Sequence, residues 1–332
     1  MSDRNGKKRV LSGIQPTGKT HIGNLLGAIR HWVDTQDDSE TLFPIVDLHA
    51  ITVPHQPDEL KSDIRHVASI LYAAGIDPET SVLFVQSHIS AHSELAWILN
   101  CLIPMGWMER MTQFKEKAGA ARERVSVGLF DYPALMAADI LLYEVDSVPV
   151  GDDQRQHIEL TRDVAQRFNS IYGRTFKVPE ASIPPVGARI MGLDDPTTKM
   201  SKSETAAGHA LYLLDGPDEV RGKLRRAATD SLREIRFDAN RPGVNNLLGI
   251  YQAFTGKTKE EIESNFEGKG YAELKEELSE VVIEGIRPLQ ERFRDLQKEP
   301  GYIDSMLRDG ADTVRPLAER TLATVKEKVG LG

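Results

Sequence analysis

The 332 residues carry 41 Lys and Arg against 50 Asp and Glu, a net charge of −9, which excludes a protein that coats nucleic acid indiscriminately, because such binding rests on neutralising phosphates. One cysteine, Cys101, excludes internal disulfides and any zinc or iron–sulfur site built from cysteines. The length suits two domains, the scarcity of cysteine suits the cytosol, and no apolar run has the length of a signal-peptide core or a membrane span.

In chain order, Val10 and Leu11 form the first short apolar segment, and Gly13-Ile14-Gln15-Pro16-Thr17-Gly18 is a turn-forming run. His21-Ile22-Gly23-Asn24 then opens a helical pattern from Leu25 to Trp32. Strand, glycine turn and helix start are the arrangement that offers free backbone N–H groups to phosphate. Gly13 to Thr20 also satisfies the pattern G-x-x-x-x-G-K-S/T, and Leu42 to Asp47 could supply the strand and acid of a Walker B, so a P-loop NTPase is a second reading. That reading places Lys19 and Thr20 at the start of the helix, yet Gly23 interrupts the place where the helix should already run.

Thr41 to Asp47 and Ser81 to Gln86 are short, β-branched and apolar, Asp146 to Val150 resembles them, and helical patterns cover Leu60 to Ala74 and Gln154 to Phe168. That alternation predicts a parallel α/β sheet. The stretch 92–145 is longer than one crossover helix needs and reads as an inserted helical hairpin. Inside it, Asp139 sits in the apolar run Met136 to Tyr143, where an unpaired carboxylate costs several kcal/mol to bury. It needs a partner, either a structural one such as a later arginine or a donor on a substrate. The substrate reading is favoured because Val148-Pro149-Val150-Gly151-Asp152-Asp153-Gln154 follows, a strand end of the kind that presents groups to a ribose.

Lys199-Met200-Ser201-Lys202-Ser203 sets two ammonium groups three residues apart after the loop composition Asp195-Pro196-Thr197-Thr198, a spacing suited to a migrating polyphosphate. Beyond it the strand signals fade. Arg221, Lys223, Arg225, Arg226, Arg233, Arg236 and Arg241 stand against Asp230, Glu234 and Asp238, either a solvated face or a footprint for RNA. Leu274, Leu278, Val281, Val282, Leu289, Phe293 and Leu296 keep helical spacing, with Pro288 expected to kink or split the run. Val314, Leu317, Ala318, Leu322 and Val325 predict a last amphipathic helix. The expected fold is therefore α/β: a Rossmann-like parallel-sheet nucleotide-binding domain over 1–204 with helices inserted at 92–145, followed by an all-helical C-terminal domain over 205–332.

The two short strings together resemble the signature of class I aminoacyl-tRNA synthetases, in which His-Ile-Gly-His and Lys-Met-Ser-Lys-Ser flank ATP; Asn24 departs from the second His. Over nearly its whole length the sequence is similar to the bacterial-type tryptophanyl-tRNA synthetases, on Gly13 to Gly18, Asp47-Leu48-His49-Ala50, Met111 to Lys117, Met136 to Tyr143, Gly151 to Gln154 and Gly187 to Met191. The resemblance implies activation of L-tryptophan by ATP with Mg²⁺, then transfer to the 3′-terminal adenosine of tRNA(Trp), by a cytoplasmic homodimer with no membrane partner, no zinc and no iron–sulfur cluster. It also implies that 205–332 binds the anticodon.

Residue by residue, the resemblance assigns catalysis to Gln15, His21, Lys117, Lys199 and Lys202. It assigns ATP contacts to Gln15, Pro16, Thr17, Gly23, Asn24, Gly151, Asp152, Asp153, Ile190, Lys199, Met200, Ser201, Lys202 and Ser203. Tryptophan contacts fall to Asp139, which accepts the indole N–H, and to His49, Met136, Tyr132, Val148, Val150 and Gln154; Leu11 stands where some members carry Phe. A tyrosyl-tRNA synthetase shares the architecture, and Met136 to Asp139 with Gly151 to Gln154 favours tryptophan over it. A smaller nucleotidylyltransferase leaves the lysine string without a use, and an RNA-binding module leaves the nucleotide site idle.

Overall fold

Short apolar strands buried on both faces read as near-continuous hydrophobic runs and pair in parallel. The computed structural model describes residues 6–111, 126–151, 154–182, 189–201 and 208–332. Its strands are β1 (Arg9–Leu11), β2 (Glu40–Ile45), β3 (Ser81–Val85), β4 (Ser147–Pro149) and β5 (Glu180–Ser182), in the order β3-β2-β1-β4-β5 and parallel throughout. The chain moves outward from β1 first to β2 and β3, then crosses back to β4 and β5. The strand order thus reverses between β1 and β4, which is where an open α/β sheet leaves a crevice at its carboxyl ends. The four expected strands form, β1 at Val10 and Leu11 and the other three each trimmed at the end where a helix or turn takes over. Glu180-Ala181-Ser182 lacks the β-branched apolar residues that mark strands, and only its pairing with β4 reveals it.

Alternate residues of each strand serve opposite faces. Phe43 and Ile45 of β2 with Leu83 and Val85 of β3 enter one core, and Leu42 with Val82 and Phe84 enters the other. On the first face lie α1 (Ile22–Asn24), a π-helical turn (Leu25–Ile29) and α2 (Arg30–Thr35), where the sequence pattern read one ordinary helix from Leu25 to Trp32. The wider turn keeps Ile22, Leu25, Leu26 and Ile29 all in the core. α3 (Asp47–Ala50) follows β2 directly, and α4 (Pro57–Ala74) leads to β3. The insertion supplies α5 (Ala91–Asn100), α6 (Met105–Glu109) and α7 (Val127–Leu141) to the second face, joined by α8 (Arg155–Tyr172).

The last third is helical: α9 (Pro217–Arg226), α10 (Pro242–Thr255), α11 (Lys259–Asn265), α12 (Tyr271–Leu296) and α13 (Pro300–Val329). α12 is not split at Pro288. One lost backbone bond is offset by the buried face of Leu274, Leu278, Val282, Ile286 and Leu289. α13 returns to the sheet, where Val314, Leu317, Ala318, Leu322 and Val325 share a core with Leu11 and Phe84.

The closest approach of α13 to the sheet is at Gly310, where a Cβ would stand 2.0 Å from the carbonyl oxygen of Leu83. Backbone cannot yield to that contact without moving the helix. Gly310→Ala is expected to lower stability by about 1–3 kcal/mol, the usual range for overpacking, read as a lower midpoint in denaturant unfolding; an unchanged midpoint would mean that the helix slides freely on β3.

Candidate active site

At the carboxyl ends of β1, β2 and β4 the sheet and α7 enclose a cavity of about 480 Å³, within the range of small-ligand sites. All seven residues expected to contact tryptophan line it, together with Leu11, Gln15 and Gly151. Its floor is apolar on the sheet side, from Leu11, Val46, Val148 and Val150, and polar on the helix side, from Asp139, His49 and Tyr132.

Asp139 is 3% exposed, in the last turns of α7. Its Oδ2 receives His49 Nε2 at 2.7 Å, and its Oδ1 receives Gln86 Nε2 and His92 Nδ1, each at 2.6 Å. Its protein partners are thus two histidines and an amide from the N-terminal half, and not the later arginine that stood as the structural alternative. The physical reason is position: the ends of β2 and β3 deliver short side chains to the cavity floor. His92 Nε2 lies 2.7 Å from the Tyr143 hydroxyl, so a His92 that donates through Nδ1 accepts the phenolic proton at its other nitrogen. Burial alone would raise the Asp139 carboxyl, but the hydrogen bonds from His49 and His92 outweigh it and hold the group well below the ordinary carboxylate range. Burial, then the Asp139 charge, pushes the Tyr143 phenol well above its usual value. Among the described residues Oδ2 carries one protein donor, so the carboxylate keeps capacity for another donor from the cavity.

Tyr132 is held from behind: its hydroxyl lies 2.7 Å from His157 Nε2, and the two rings stack at 5.3 Å. Gln86, His92, Tyr143 and His157 were not anticipated. Tyr143 closes the string Met136 to Tyr143 but carried no assigned role there, the other three belong to no motif, and only the end-of-strand position of Gln86 signals it in sequence.

The elements expected to bind phosphate meet beside Ile190. The Asn24 side chain accepts from the His21 N–H at 3.1 Å and caps the helix start, a role that suits an amide in place of the second histidine. A Cβ on Gly23 would stand 2.9 Å from His21 Nδ1 and 3.7 Å from Ile190 Cβ, so the glycine lets the imidazole lie over the helix start. Ile190 and Met200 are buried in the same core as Ile22, and Met200 N–H bonds the Ile190 carbonyl at 3.1 Å. Lys199 and Ser201 flank Met200. Pro16 and Thr17 lie on the loop between the cavity and His21, while Lys117, Asp152, Asp153, Lys202 and Ser203 lie outside the described residues.

Nothing here is a P-loop. Helix α1 begins at Ile22, after Lys19 and Thr20 have passed in non-helical backbone, and Leu213 N–H bonds the Thr20 carbonyl at 2.9 Å. A P-loop needs both residues in its first helical turn. The candidate Walker B acid, Asp47, accepts from Leu48 N–H and from both N–H and hydroxyl of Ser87, tying the ends of β2 and β3 together. Most of the basic segment is internally paired as well: Arg221 with Glu280, Lys223 with Asp215, Arg236 with Glu234, and Arg241 with Asp230. Arg225, Arg226 and Arg233 are exposed, with no ion pair among the described residues.

The family model for class I tRNA synthetases of the tryptophan and tyrosine type matches residues 3–286. The chain belongs to this family. A Tryptophan–tRNA ligase from Wolinella succinogenes is 56% identical over 325 residues, covering 98% of this chain and 99% of the relative. Among solved class I synthetases, tryptophanyl-tRNA synthetase from Mycoplasma pneumoniae superposes with a TM-score of 0.88 at 37% identity, covering 98% of both chains. The Campylobacter jejuni enzyme, solved with ADP and tryptophan, gives 0.85 at 34% identity, covering 97% of this chain and all of that one. In this synthetase no described helix is long and apolar enough to cross a membrane.

The cavity and its carboxylate yield a test. Asp139→Asn removes the charge and turns an amide N–H toward His49 or His92, and the KM for tryptophan in ATP–pyrophosphate exchange is expected to rise by roughly 10- to 100-fold. An unchanged KM would return Asp139 to a purely structural role. A lowered folded pKa means that the group's contribution is complete above the unfolded value of about 3.9 and is lost only as pH falls through the lower folded value. Asp139 therefore adds no pH dependence to tryptophan affinity between about pH 5 and 8.

Proposed function

We propose that this synthetase condenses L-tryptophan with ATP to tryptophanyl-adenylate and pyrophosphate, and then passes the tryptophanyl group to the 3′-terminal adenosine of tRNA(Trp). The observation that carries the reading is the cavity at the sheet's switch point, closed by an ionised, buried Asp139 within reach of an indole-sized ring. The carboxylate accepts the indole N–H. The site rejects phenylalanine because that ring leaves the buried acceptor without its donor. The tyrosyl alternative shares the sheet, and the 56% identity to a Tryptophan–tRNA ligase over nearly the whole chain favours tryptophan.

In the first step the tryptophan carboxylate attacks the α-phosphorus, the bond to the bridging oxygen breaks, and negative charge gathers on the departing pyrophosphate. His21 at the helix start, Lys199, Lys202 and Lys117 are assigned to that charge, with Gln15 orienting the reacting groups. Such groups lower the barrier by position and field, with no covalent enzyme intermediate. Pro16, Thr17, Gly23, Asn24 and Ile190 pack on the nucleotide, Gly151 to Asp153 face its ribose, and Met200, Ser201 and Ser203 belong to the loop over its phosphates. Mg²⁺ is assigned to the ATP phosphates, because magnesium prefers phosphate oxygen and water; when bound it would neutralise charge on the leaving group.

The helical region 205–332 is assigned to the anticodon arm, with Arg225, Arg226 and Arg233 as cations left for phosphate. Trp97, Met105 and Val127, exposed at 71%, 63% and 80% on the inserted helices, support a homodimer through that face. Light scattering is expected to give twice the chain mass; a monomer at micromolar concentration overturns the assembly. Cytoplasmic residence is part of the reading, supported by the single cysteine.

The deciding experiment is amino-acid-dependent ATP–pyrophosphate exchange with tryptophan, tyrosine, phenylalanine and no amino acid. Tryptophan alone is expected to support it; tyrosine dependence moves the assignment to the sister enzyme. Lys199→Ala and Lys202→Ala are each expected to lower kcat by about 100-fold or more with little change in substrate affinity, and equal losses in both would sink the transition-state role.

A further inference from the structure

We propose that Asn246, on α10, is a positioning residue for the lysine loop, and that its amide sets where Lys199 stands relative to the ATP phosphates. This rests on the reading of Lys199 as a phosphate-facing cation. Lys199 is exposed, its ammonium has no ion pair among the described residues, and its long stem samples a wide volume. What fixes it is its backbone.

That backbone is one strand of a small hairpin. Met191 and Lys199 form an antiparallel bridge, flanked by Gly192 N–H to the Thr198 carbonyl at 2.9 Å and Met200 N–H to the Ile190 carbonyl at 3.1 Å. With the bonds on the flanking residues, Met191 and Lys199 are the non-hydrogen-bonded pair, so their own N–H and C=O groups point outward. Asn246 occupies the outer edge at Met191. Its Oδ1 accepts from Met191 N–H at 2.9 Å, and its Nδ2 donates to the Met191 carbonyl at 3.0 Å and the Gly192 carbonyl at 3.4 Å. One side-chain amide thus replaces the peptide of a missing neighbour strand, and it does so at 7% exposure, where losing the bonds leaves backbone groups unpaired.

The Lys199 edge is held in the same manner. His209 Nε2 lies 3.3 Å from the Lys199 carbonyl, and Nδ1 lies 2.7 Å from Asp194 Oδ1. Gly192 makes room for that ring, since a Cβ there would stand 2.2 Å from His209 Cε1. The hairpin is gripped from both outer edges, and the Asn246 grip belongs to the helical region assigned to tRNA. Asn246 is therefore the polar link from α10 to this hairpin, beside the apolar packing of Ile190, Leu193 and Met200 in the core that holds Val244, Leu247 and Leu248.

The test uses the full chain and compares Asn246→Ala, Asn246→Asp and His209→Gln with the parent in tryptophan-dependent ATP–pyrophosphate exchange, beside equilibrium dialysis of labelled tryptophan and a thermal melt. Asn246→Ala is expected to lower kcat about 10- to 100-fold, with the dissociation constant of tryptophan unchanged within about twofold. Asn246→Asp keeps the acceptor for Met191 N–H but aims an oxygen at two carbonyls, so it falls at least as far. A kcat within about twofold of the parent for both overturns the proposal, as does a loss shared equally by tryptophan binding, which marks a merely structural residue. If neither Asn246 variant folds, His209→Gln decides by the same split from the other edge. A parent chain that exchanges without tryptophan dependence refutes the function itself, an outcome distinct from variants that keep the parent's rate.

Discussion

The structure turns on one buried negative charge. Asp139 sits in an apolar helix, where an ionised carboxylate survives only if its oxygens are met by donors. His49, Gln86 and His92 meet them, and each arrives from a different part of the first sheet half: the helix after β2, the end of β3, and the start of α5. The carboxyl ends of β2 and β3 must lie side by side for those donors to converge, which the parallel register and the Asp47 to Ser87 bonds enforce. The proposed specificity element is thus also a reason for the local fold, and a half-satisfied version of it would be worse than an apolar core.

At the other end of the site the problem is reversed. A reaction that gathers negative charge on a leaving pyrophosphate needs cations that are aimed but not buried, because a buried ammonium is costly and shifts its pKa. For Lys199, the cation proposed for that role, the chain buries the neighbours. Ile190 and Met200 sink into the core beside Ile22, and the backbone between them is pinned by Asn246 and His209. Lys199 is left exposed on a hydrogen-bonded base. The π-helical turn after Asn24 belongs to the same economy of space, since it keeps the His21 end and four apolar side chains in register with that core.

Much of this was legible in the chain. Strings such as His21 to Asn24 and Lys199 to Ser203 are local, and a local motif keeps its chemistry wherever the fold carries it. The alternation of apolar strands with amphipathic helices specified the parallel sheet, because a period of two and a period of 3.6 residues leave different marks. β5 escaped because an edge strand of Glu, Ala and Ser has no such mark. Pro288 does not split its helix because packing on one face, beyond its own backbone bonds, holds the run together.

The residues that complete the site were legible only in three dimensions. Gln86, His92 and Asn246 are ordinary polar residues in sequence, and each becomes significant because an element distant in the chain delivers an unpaired partner to it. The sequence by itself determined the chemistry of the motifs, the class of sheet and the need of Asp139 for a donor, because those follow from residue type and spacing. Tertiary structure alone decided which donors answer that need and what holds the lysine hairpin. Hydrogen bonds between residues 40 to 90 positions apart depend on where the strands end, and spacing along the chain does not encode that distance.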